Sequence, residues 1–235
     1  MIDRRFFIGG AALCAAPLSP APAQDDADQR LKTDWPWLGR YAADNQRLLA
    51  SRARVDIVFL GDSITEGWRD KRPGFFTPGR INRGIGGQTT PQMLLRMMAD
   101  VIALRPRFLH VMGGTNDIAG NTGPMTVAQT VQTLTAICQL AHANGIRVLL
   151  ASVPPAANFP WRPGLNTTEP IRAINALMRE RAEALSATYV NYTLALCTAS
   201  GAMRAGLAYD GVHPNERGYQ AMEAVLQPLL VPLGA

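Results

Sequence analysis

A serine and an Asp-x-x-His pair, far apart in the sequence, have the residue types of a catalytic triad. Ser63 follows Gly61-Asp62 directly after an apolar run, and Asp210 and His213 stand near the carboxyl end of the chain. A serine hydroxyl is a poor nucleophile at neutral pH, so it needs an imidazole to accept its proton and a carboxylate to orient that imidazole. These residues can attack a carbonyl group only if the fold brings the two segments together.

Two glycine-rich segments between them could supply a second requirement of acyl transfer. Negative charge develops on the carbonyl oxygen in the transition state, and each hydrogen-bond donor already aimed at that oxygen contributes ~3 kcal/mol. The candidate donors are the backbone N–H of Ser63, the backbone N–H of Gly87 in the run 84–87, and the side-chain amide of Asn116 in the run 113–117.

Each motif taken alone has a plainer interpretation. Gly-Asp-Ser is common in turns and at helix N-termini, and the run 84–87 could cradle a phosphate, although it lacks the Lys-Ser/Thr ending of a P-loop. Asn116 could be a turn residue, and Asp210 and His213 a structural pair. The combination of all four motifs, in this order, favours acyl transfer.

The order of predicted elements indicates how these segments could meet. Strand-like apolar runs alternate with helical patterns, which predicts an α/β fold: a three-layer α/β/α sandwich, flavodoxin-like, with about five parallel strands. The predicted strands are 55–60, 80–83, 108–112, 147–153 and 188–192, and the predicted helices are 35–50, 90–104, 126–143, 169–186 and 215–230. Parallel sheets bind ligands at the carboxyl ends of their strands, where the candidate segments are expected.

The amino-terminal residues 1–23 have the parts of an export signal. Arg4-Arg5 precedes a small apolar segment, and Ala21-Pro22-Ala23 is typical of a cleavage site. The arrangement resembles a bacterial twin-arginine signal, with a general secretory signal as the alternative. We therefore expect an exported product, periplasmic or secreted, that begins at Gln24.

Composition excludes several other classes of protein. With 235 residues, 47% hydrophobic and 17% charged, the chain is long and apolar enough for one folded domain. The net charge of +5 is spread over scattered basic residues without interleaved aromatics, so we expect no nucleic-acid partner.

His110, His142 and His213 lack partner ligands at metal-binding spacing, so no metal or other cofactor is expected. Cys138 and Cys197 could pair or stay free.

The four motifs resemble the blocks of the SGNH hydrolase family, also called GDSL esterases and lipases. The matching segments are 61–64, 82–87, 114–117 and 210–214. The resemblance implies an SGNH hydrolase domain over 55–235, preceded by a polar segment and helix over 24–54. It also implies a role for each matched residue: Ser63 as nucleophile, Gly87 and Asn116 as oxyanion donors, and Asp210 and His213 as the rest of the triad. Ile64 stands where the name motif has leucine.

Within that family, the segment 84–90 is similar to the platelet-activating-factor acetylhydrolase-like branch and to bacterial carbohydrate acetylesterases. The similarity implies a serine esterase that removes short acyl groups, such as acetyl, from carbohydrate or small-molecule esters. One alternative is a lysophospholipase or thioesterase for longer chains, and another is a non-catalytic carbohydrate-binding protein. We expect a glycan or small-molecule ester substrate and no stable membrane insertion once the signal is removed.

Three aromatic residues are candidates for the wall of a substrate site. Trp68 follows Ser63 closely, and Phe159 and Trp161 lie in the loop after the fourth predicted strand. Aromatic side chains commonly line ligand pockets. The loop aromatics could instead pack their loop onto the body of the protein.

Overall fold

The computed structural model describes residues 29–230, so the predicted export signal and residues 24–28 lie outside the described range. Within it, no helix is both long enough and apolar enough to cross a bilayer.

Five parallel strands form the central sheet. Their order is β2-β1-β3-β4-β5, and every neighbouring pair runs parallel. The strands are β1 (Ile57–Gly61), β2 (Arg80–Gly84), β3 (Phe108–Met112), β4 (Arg147–Ala151) and β5 (Ala187–Val190). Every residue of β1 and β3 is buried, as the continuous apolar runs predict for strands covered on both faces. The predicted flavodoxin-like sheet is confirmed.

Helices flank the sheet and complete the three-layer α/β/α architecture. Residues 29–33 are helical. The helices that follow them are α1 (Ala42–Ser51), α2 (Ser63–Lys71), α3 (Thr90–Leu95), α4 (Met97–Asp100), α5 (Thr115–Ala119), α6 (Val127–Ala143), α7 (Thr168–Arg181), α8 (Thr193–Leu196) and α9 (Glu216–Leu230). Short 3₁₀ helices occur at Leu38–Arg40, Pro73–Phe75 and Ile102–Leu104. Helix α2 begins at Ser63 itself, and no helix had been predicted there.

Two predicted helices are divided in the structure. The segment 35–50 forms a 3₁₀ turn followed by α1, and the segment 90–104 forms α3, α4 and a 3₁₀ turn. The break between α3 and α4 falls at Arg96, a fully buried arginine whose guanidinium donates to the carbonyl of Gly61 at 3.0 Å. Apolar periodicity could not predict this break, because the contact that accompanies it involves a residue distant in sequence.

An aromatic cluster fills the layer between the sheet and helices α2 and α9. Trp68 stacks on Phe75 with ring centroids 5.0 Å apart and on Tyr219 at 5.6 Å, while Phe59 of β1 meets Trp68 edge-on at 5.7 Å. The Tyr219 hydroxyl donates to the carbonyl of Ile64 at 2.7 Å. The carboxyl-terminal helix is thereby fixed to the helix that carries Ser63.

Cys138 and Cys197 are both free cysteines. Cys138 is buried in α6, and burial raises the pKa of its thiol to about 12. A thiol in that state is protonated at neutral pH and chemically inert.

Candidate active site

Ser63 lies at the point of the sheet where the strand order reverses. Strand β1 has β2 on one side and β3 on the other, and Ser63 follows its carboxyl end by two residues. Crevices at such switch points bind ligands in open parallel sheets. The turn into α2 is tight: a Cβ at Gly61 would lie 2.0 Å from Thr65 Oγ1 and 2.8 Å from the Met112 carbonyl oxygen, so a glycine is required there.

Asp62 caps the helix that starts at Ser63. Its carboxylate accepts the backbone N–H of Ile64 at 2.9 Å, and the side chain is almost fully buried. Burial raises the pKa of Asp62 to about 6, against the opposing effect of the Ile64 N–H bond. The residue fixes the backbone that presents Ser63, and it makes no hydrogen bond to His213 or Asp210.

The structure brings Ser63, His213 and Asp210 into one hydrogen-bonded chain. Ser63 Oγ lies 2.9 Å from His213 Nε2, and His213 Nδ1 lies 2.6 Å from Asp210 Oδ2. The other carboxylate oxygen of Asp210 accepts the backbone N–H groups of Val212 at 2.9 Å and His213 at 2.7 Å. Gly211, with φ of +84°, allows the turn that folds the carboxylate back onto the imidazole.

The charge on Asp210 fixes the protonation pattern of the imidazole. Partial burial pushes the pKa of Asp210 up, but the hydrogen bonds from His213 and Val212 outweigh it and leave the pKa below its ordinary value. An ionised carboxylate can only accept, so His213 Nδ1 must carry the proton. In the neutral ring, Nε2 is then unprotonated and faces the Ser63 hydroxyl, the arrangement that removes a proton from serine.

Two backbone N–H donors lie near Ser63: its own, and that of Gly87 on the glycine loop, defined here as 84–88. A Cβ at Gly86 would stand 3.8 Å from Ser63 Cβ, so the loop is adjacent to the serine. Gly87 is exposed, has φ of +77°, and its N–H meets no acceptor among residues 29–230. Ser63 is the first residue of α2, so its N–H has no intrahelical partner.

Asn116 is held at the start of α5 with part of its donor capacity unused. One N–H of its amide donates to the Gln88 carbonyl at 3.0 Å, and its oxygen accepts the Asn121 amide at 2.9 Å. Asn121 also donates to the Gly87 carbonyl at 3.2 Å. A side-chain amide carries two N–H donors, so the second one of Asn116 remains available.

A buried polar network behind the glycine loop was not predicted from sequence. Arg96 Nε donates to the Gln88 side chain at 2.6 Å, and its guanidinium pairs with Asp100 at 3.0 Å. Asn45 donates to Asp100 at 2.7 Å, and Tyr41 donates to the Gly84 carbonyl. The one sequence feature that could have indicated the network is an arginine amid the apolar run 93–98, where a surface position is otherwise expected.

Two of the three aromatic candidates do not face the site. The prediction for Trp68 is wrong, because its indole is fully buried in the aromatic cluster and donates to Glu223 at 3.1 Å. Phe159 is also fully buried and stacks behind Trp161 with ring centroids 5.1 Å apart, so it packs the loop. Trp161 is 39% exposed, and its ring centroid lies 5.8 Å from that of His213.

Tyr209 also lies against His213, and it was not predicted from sequence. Its ring stacks on His213 at 5.6 Å and 12° between planes, and 66% of the residue is exposed. Its position directly before Asp210 was the available clue. His110, by contrast, is buried away from the site beside Tyr192, and burial lowers its pKa to about 3.

An open cleft of about 370 Å³ lies against the glycine loop. We call it the glycine-loop cleft. Its lining includes Gly86 and Gly87 of the loop, together with Arg30, Trp37, Asn121, Trp161 and Arg162. Through Trp161 the cleft reaches the side of the site where His213 lies.

Comparison with known proteins assigns the family. The GDSL-like lipase/acylhydrolase family model matches residues 59–221. A GDSL-like lipase from Bacteroides thetaiotaomicron is 38% identical, with a TM-score of 0.79 over 85% of this chain and 99% of that one. A proposed acylhydrolase from Bacteroides fragilis is 37% identical, with a TM-score of 0.79 over 85% and 98%.

A curated relative matches a shorter stretch. The uncharacterized lipoprotein YqeF of Bacillus subtilis is 51% identical over a segment covering 29% of this chain and 34% of that protein, so the chain spans about a third of the relative's length. The family model covers more than half of the chain. The chain therefore belongs to the GDSL-like lipase/acylhydrolase family, whose members are SGNH-type ester hydrolases.

Proposed function

We propose that this protein is a serine ester hydrolase that works through an acyl-enzyme at Ser63. The observation that carries the proposal is the continuous hydrogen-bonded chain from Ser63 Oγ through His213 to Asp210 at the switch point of the sheet. Family membership and the N–H of Gly87, which meets no acceptor among residues 29–230, support it.

In the first half of the reaction, Ser63 Oγ attacks the ester carbonyl carbon while His213 Nε2 takes the hydroxyl proton. The carbonyl electron pair moves onto oxygen, where the N–H groups of Ser63 and Gly87 and the amide of Asn116 stabilise the charge. The intermediate then collapses, the bond to the alcohol breaks, and His213 protonates the leaving oxygen.

In the second half, water attacks the acyl-Ser63 ester while His213 accepts a proton from the water. The same donors stabilise the second intermediate. When it collapses, Ser63 Oγ leaves, recovers its proton from His213, and the carboxylic acid departs. Asp210 stays ionised throughout and stabilises the imidazolium formed in each half.

We further propose short acyl groups, such as acetyl, on a carbohydrate or other polar alcohol. Support comes from the glycine-loop cleft, which is open and lined largely by polar and charged side chains. A long acyl chain would gain from an extended apolar groove, because burial of each CH₂ contributes ~0.8 kcal/mol.

The test of the chemistry is Ser63→Ala with p-nitrophenyl acetate as substrate. We expect kcat to fall about a thousandfold or more, while the circular dichroism spectrum and thermal midpoint stay unchanged. Ser51→Ala, at the far end of α1, is the matched control and should retain full activity. Retention of more than a few per cent of activity by the Ser63→Ala protein would refute the proposal.

A series of p-nitrophenyl esters from acetyl to palmitoyl tests the acyl preference. We expect kcat/KM to be highest at acetyl and to fall along the series. A maximum at palmitoyl would favour a lysophospholipase or thioesterase. Saturable glycan binding without hydrolysis of any ester would favour a non-catalytic carbohydrate-binding protein.

We also propose that the protein is exported and that residues 1–23 are removed. The twin-arginine-like pattern supports this, and the partial match to a lipoprotein is compatible with it. The intact mass of protein recovered from the periplasm or medium should correspond to a chain that begins at Gln24. A full-length mass, or a lipid-modified chain that begins at Cys14, would contradict the proposal.

A further inference from the structure

The geometry points to the glycine-loop cleft as a subsite for an anionic group, carboxylate or phosphate, carried by the alcohol part of the ester. This inference rests on the proposed function, because it describes how that same site selects its substrate. It is carried by two arginines that line the cleft, Arg30 and Arg162.

Neither arginine is neutralised in the described part of the chain. Arg30 lies over the ring of Trp37 at 4.2 Å and has no carboxylate within ion-pair distance there. Arg162 donates to the Gly120 carbonyl at 3.4 Å and likewise has no acidic partner. Among residues 29–230, every other residue that lines the cleft is uncharged. Guanidinium groups bind carboxylate and phosphate with charge-assisted hydrogen bonds, so an anion between them would be stabilised.

Within residues 29–230, the two acidic residues nearest the cleft, Glu66 and Asp34, are already engaged. Glu66, beneath the glycine loop, pairs with Arg40 at 3.0 Å and accepts the Gly86 N–H at 2.7 Å. Asp34 accepts the backbone N–H groups of Leu38 at 2.7 Å and Gly39 at 2.8 Å. Their carboxylates are directed into the protein's own bonds, so in the described part of the chain the two arginines are the charged groups that face the cleft without an acidic partner.

Arg162 is linked to the reacting centre through a short series of contacts. Gly120, its acceptor, precedes Asn121, and Asn121 donates both to the Gly87 carbonyl at 3.2 Å and to Asn116 at 2.9 Å. Trp161, the residue before Arg162, lies against His213. Arg162 thus directly follows a residue whose ring lies against the imidazole that protonates the leaving alcohol.

That connection assigns the anion to the alcohol side of the ester. His213 Nε2 faces the leaving oxygen in the proposed reaction, and the cleft extends from Trp161 along the glycine loop to Trp37. Its volume of about 370 Å³ lies within the ~300–1,000 Å³ range of small-ligand sites. The substrate class that fits is an acylated acidic sugar, or a similar polar alcohol that bears one negative charge.

The experiment compares three acetylated methyl glycosides by acetate release: a glucoside, the corresponding glucuronoside, and the glucoside 6-phosphate. We expect kcat/KM for at least one anionic sugar to exceed that for the glucoside by about tenfold. Whichever anionic sugar has the higher kcat/KM shows whether the subsite prefers carboxylate or phosphate. Arg30→Gln and Arg162→Gln should each lower that value about threefold, and the double variant about tenfold, with the glucoside unchanged within twofold. Arg30→Lys and Arg162→Lys should retain most of the preference.

Arg52→Gln is the matched control, since Arg52 is exposed just after α1, shortly before the amino end of β1. It should change kcat/KM neither for the anionic sugars nor for the glucoside. Absence of an anion preference in the wild type, equal losses for charged and neutral sugars, or a preference that survives in the double variant would each overturn the inference. So would a preference for monophenyl succinate over phenyl acetate, because that charge lies on the acyl side.

Binding separates this inference from the proposed chemistry. The Ser63→Ala protein should bind the anionic sugar more tightly than the glucoside by calorimetry, and should lose the difference when both arginines are replaced. If the wild type fails to hydrolyse phenyl acetate, the proposed ester hydrolysis is refuted and the anionic subsite is not. If charged and neutral sugars bind with equal affinity, the anionic subsite is refuted and the proposed hydrolysis is not.

Discussion

Glu66, one helical turn after Ser63, accepts the backbone N–H of Gly86 at 2.7 Å. The helix that presents the proposed nucleophile therefore also holds the loop that carries a proposed oxyanion donor. Arg40 pairs with the other oxygen of Glu66 at 3.0 Å and restricts the carboxylate. The relative position of Ser63 and Gly87 depends on this side chain, although Glu66 itself touches no reacting atom.

Loss of the carboxylate should loosen the glycine loop. In the Glu66→Ala protein we expect kcat to fall about tenfold, with KM nearly unchanged, because a displaced donor stabilises the transition state less than a fixed one. In Glu66→Gln the side-chain oxygen can still accept the Gly86 N–H, so most of kcat should be retained. Steady-state kinetics with p-nitrophenyl acetate measure both, and a fall confined to KM would show that the loop is held by other contacts.

Replacement of Asp210 tests the assigned tautomer of the imidazole. In the Asp210→Asn protein the amide N–H can face His213 Nδ1, which then accepts, so the proton moves to Nε2 and the ring can no longer deprotonate Ser63. We expect kcat to fall about 10⁴-fold with little change in stability. Asp70→Asn, exposed on α2, is the control. A loss smaller than tenfold would mean that Asp210 does not orient the imidazole.

The buried carboxyl of Asp62 should make stability depend on pH. Burial raises its pKa from 3.8 to about 6, so between these values the folded protein keeps a proton that the unfolded chain has lost. The contribution of Asp62 is therefore favourable at low pH and is lost as the pH rises from about 4 to about 6.

Asp62→Asn does not titrate and keeps an acceptor suited to a helix N-terminus. The free energy of unfolding of this variant, relative to that of the wild type, should increase between pH 4 and 6 and stay constant above pH 7. Urea unfolding at a series of pH values measures it. A difference that does not vary with pH would show that the pKa of Asp62 is not raised.

Arg96 should be among the most costly residues to remove from the interior. It and Asp100 are both fully buried, so Arg96→Met leaves a buried carboxylate without its cation, and we expect a loss of about 3–5 kcal/mol in the free energy of unfolding. The double replacement Arg96→Met with Asp100→Asn removes the unpaired charge and should recover part of that loss. Urea denaturation measures the stability of both variants. A loss below about 1 kcal/mol in Arg96→Met would contradict the view that Arg96 compensates a buried charge on Asp100.

The fold and the hydrogen-bonded chain were accessible from sequence for a physical reason. Strands buried on both faces must be apolar throughout, so β1 and β3 stand out as continuous runs, and the polar residues directly after them must lie at one edge of the sheet. Ser63, Asn116 and the glycine loop could therefore be grouped before their distances were known.

The surroundings of the site depended on contacts that sequence spacing does not encode. Trp68 was expected near substrate because it follows Ser63 by five residues. On a helix, that separation turns a side chain about 140° away, and Trp68 points into the core. The buried ion pair of Arg96 and the stacking of Tyr209 on His213 likewise join elements whose packing only the structure gives.

The central claim, a covalent acyl-enzyme at Ser63, is tested most directly by peptide mass spectrometry of protein treated with a fluorophosphonate and, separately, quenched during turnover of p-nitrophenyl acetate. We predict that the phosphonyl group and the acetyl group are each attached to Ser63, and that the Ser63→Ala protein carries neither. Modification of a different residue, or ester turnover by the wild type with Ser63 unmodified under both treatments, would contradict the account.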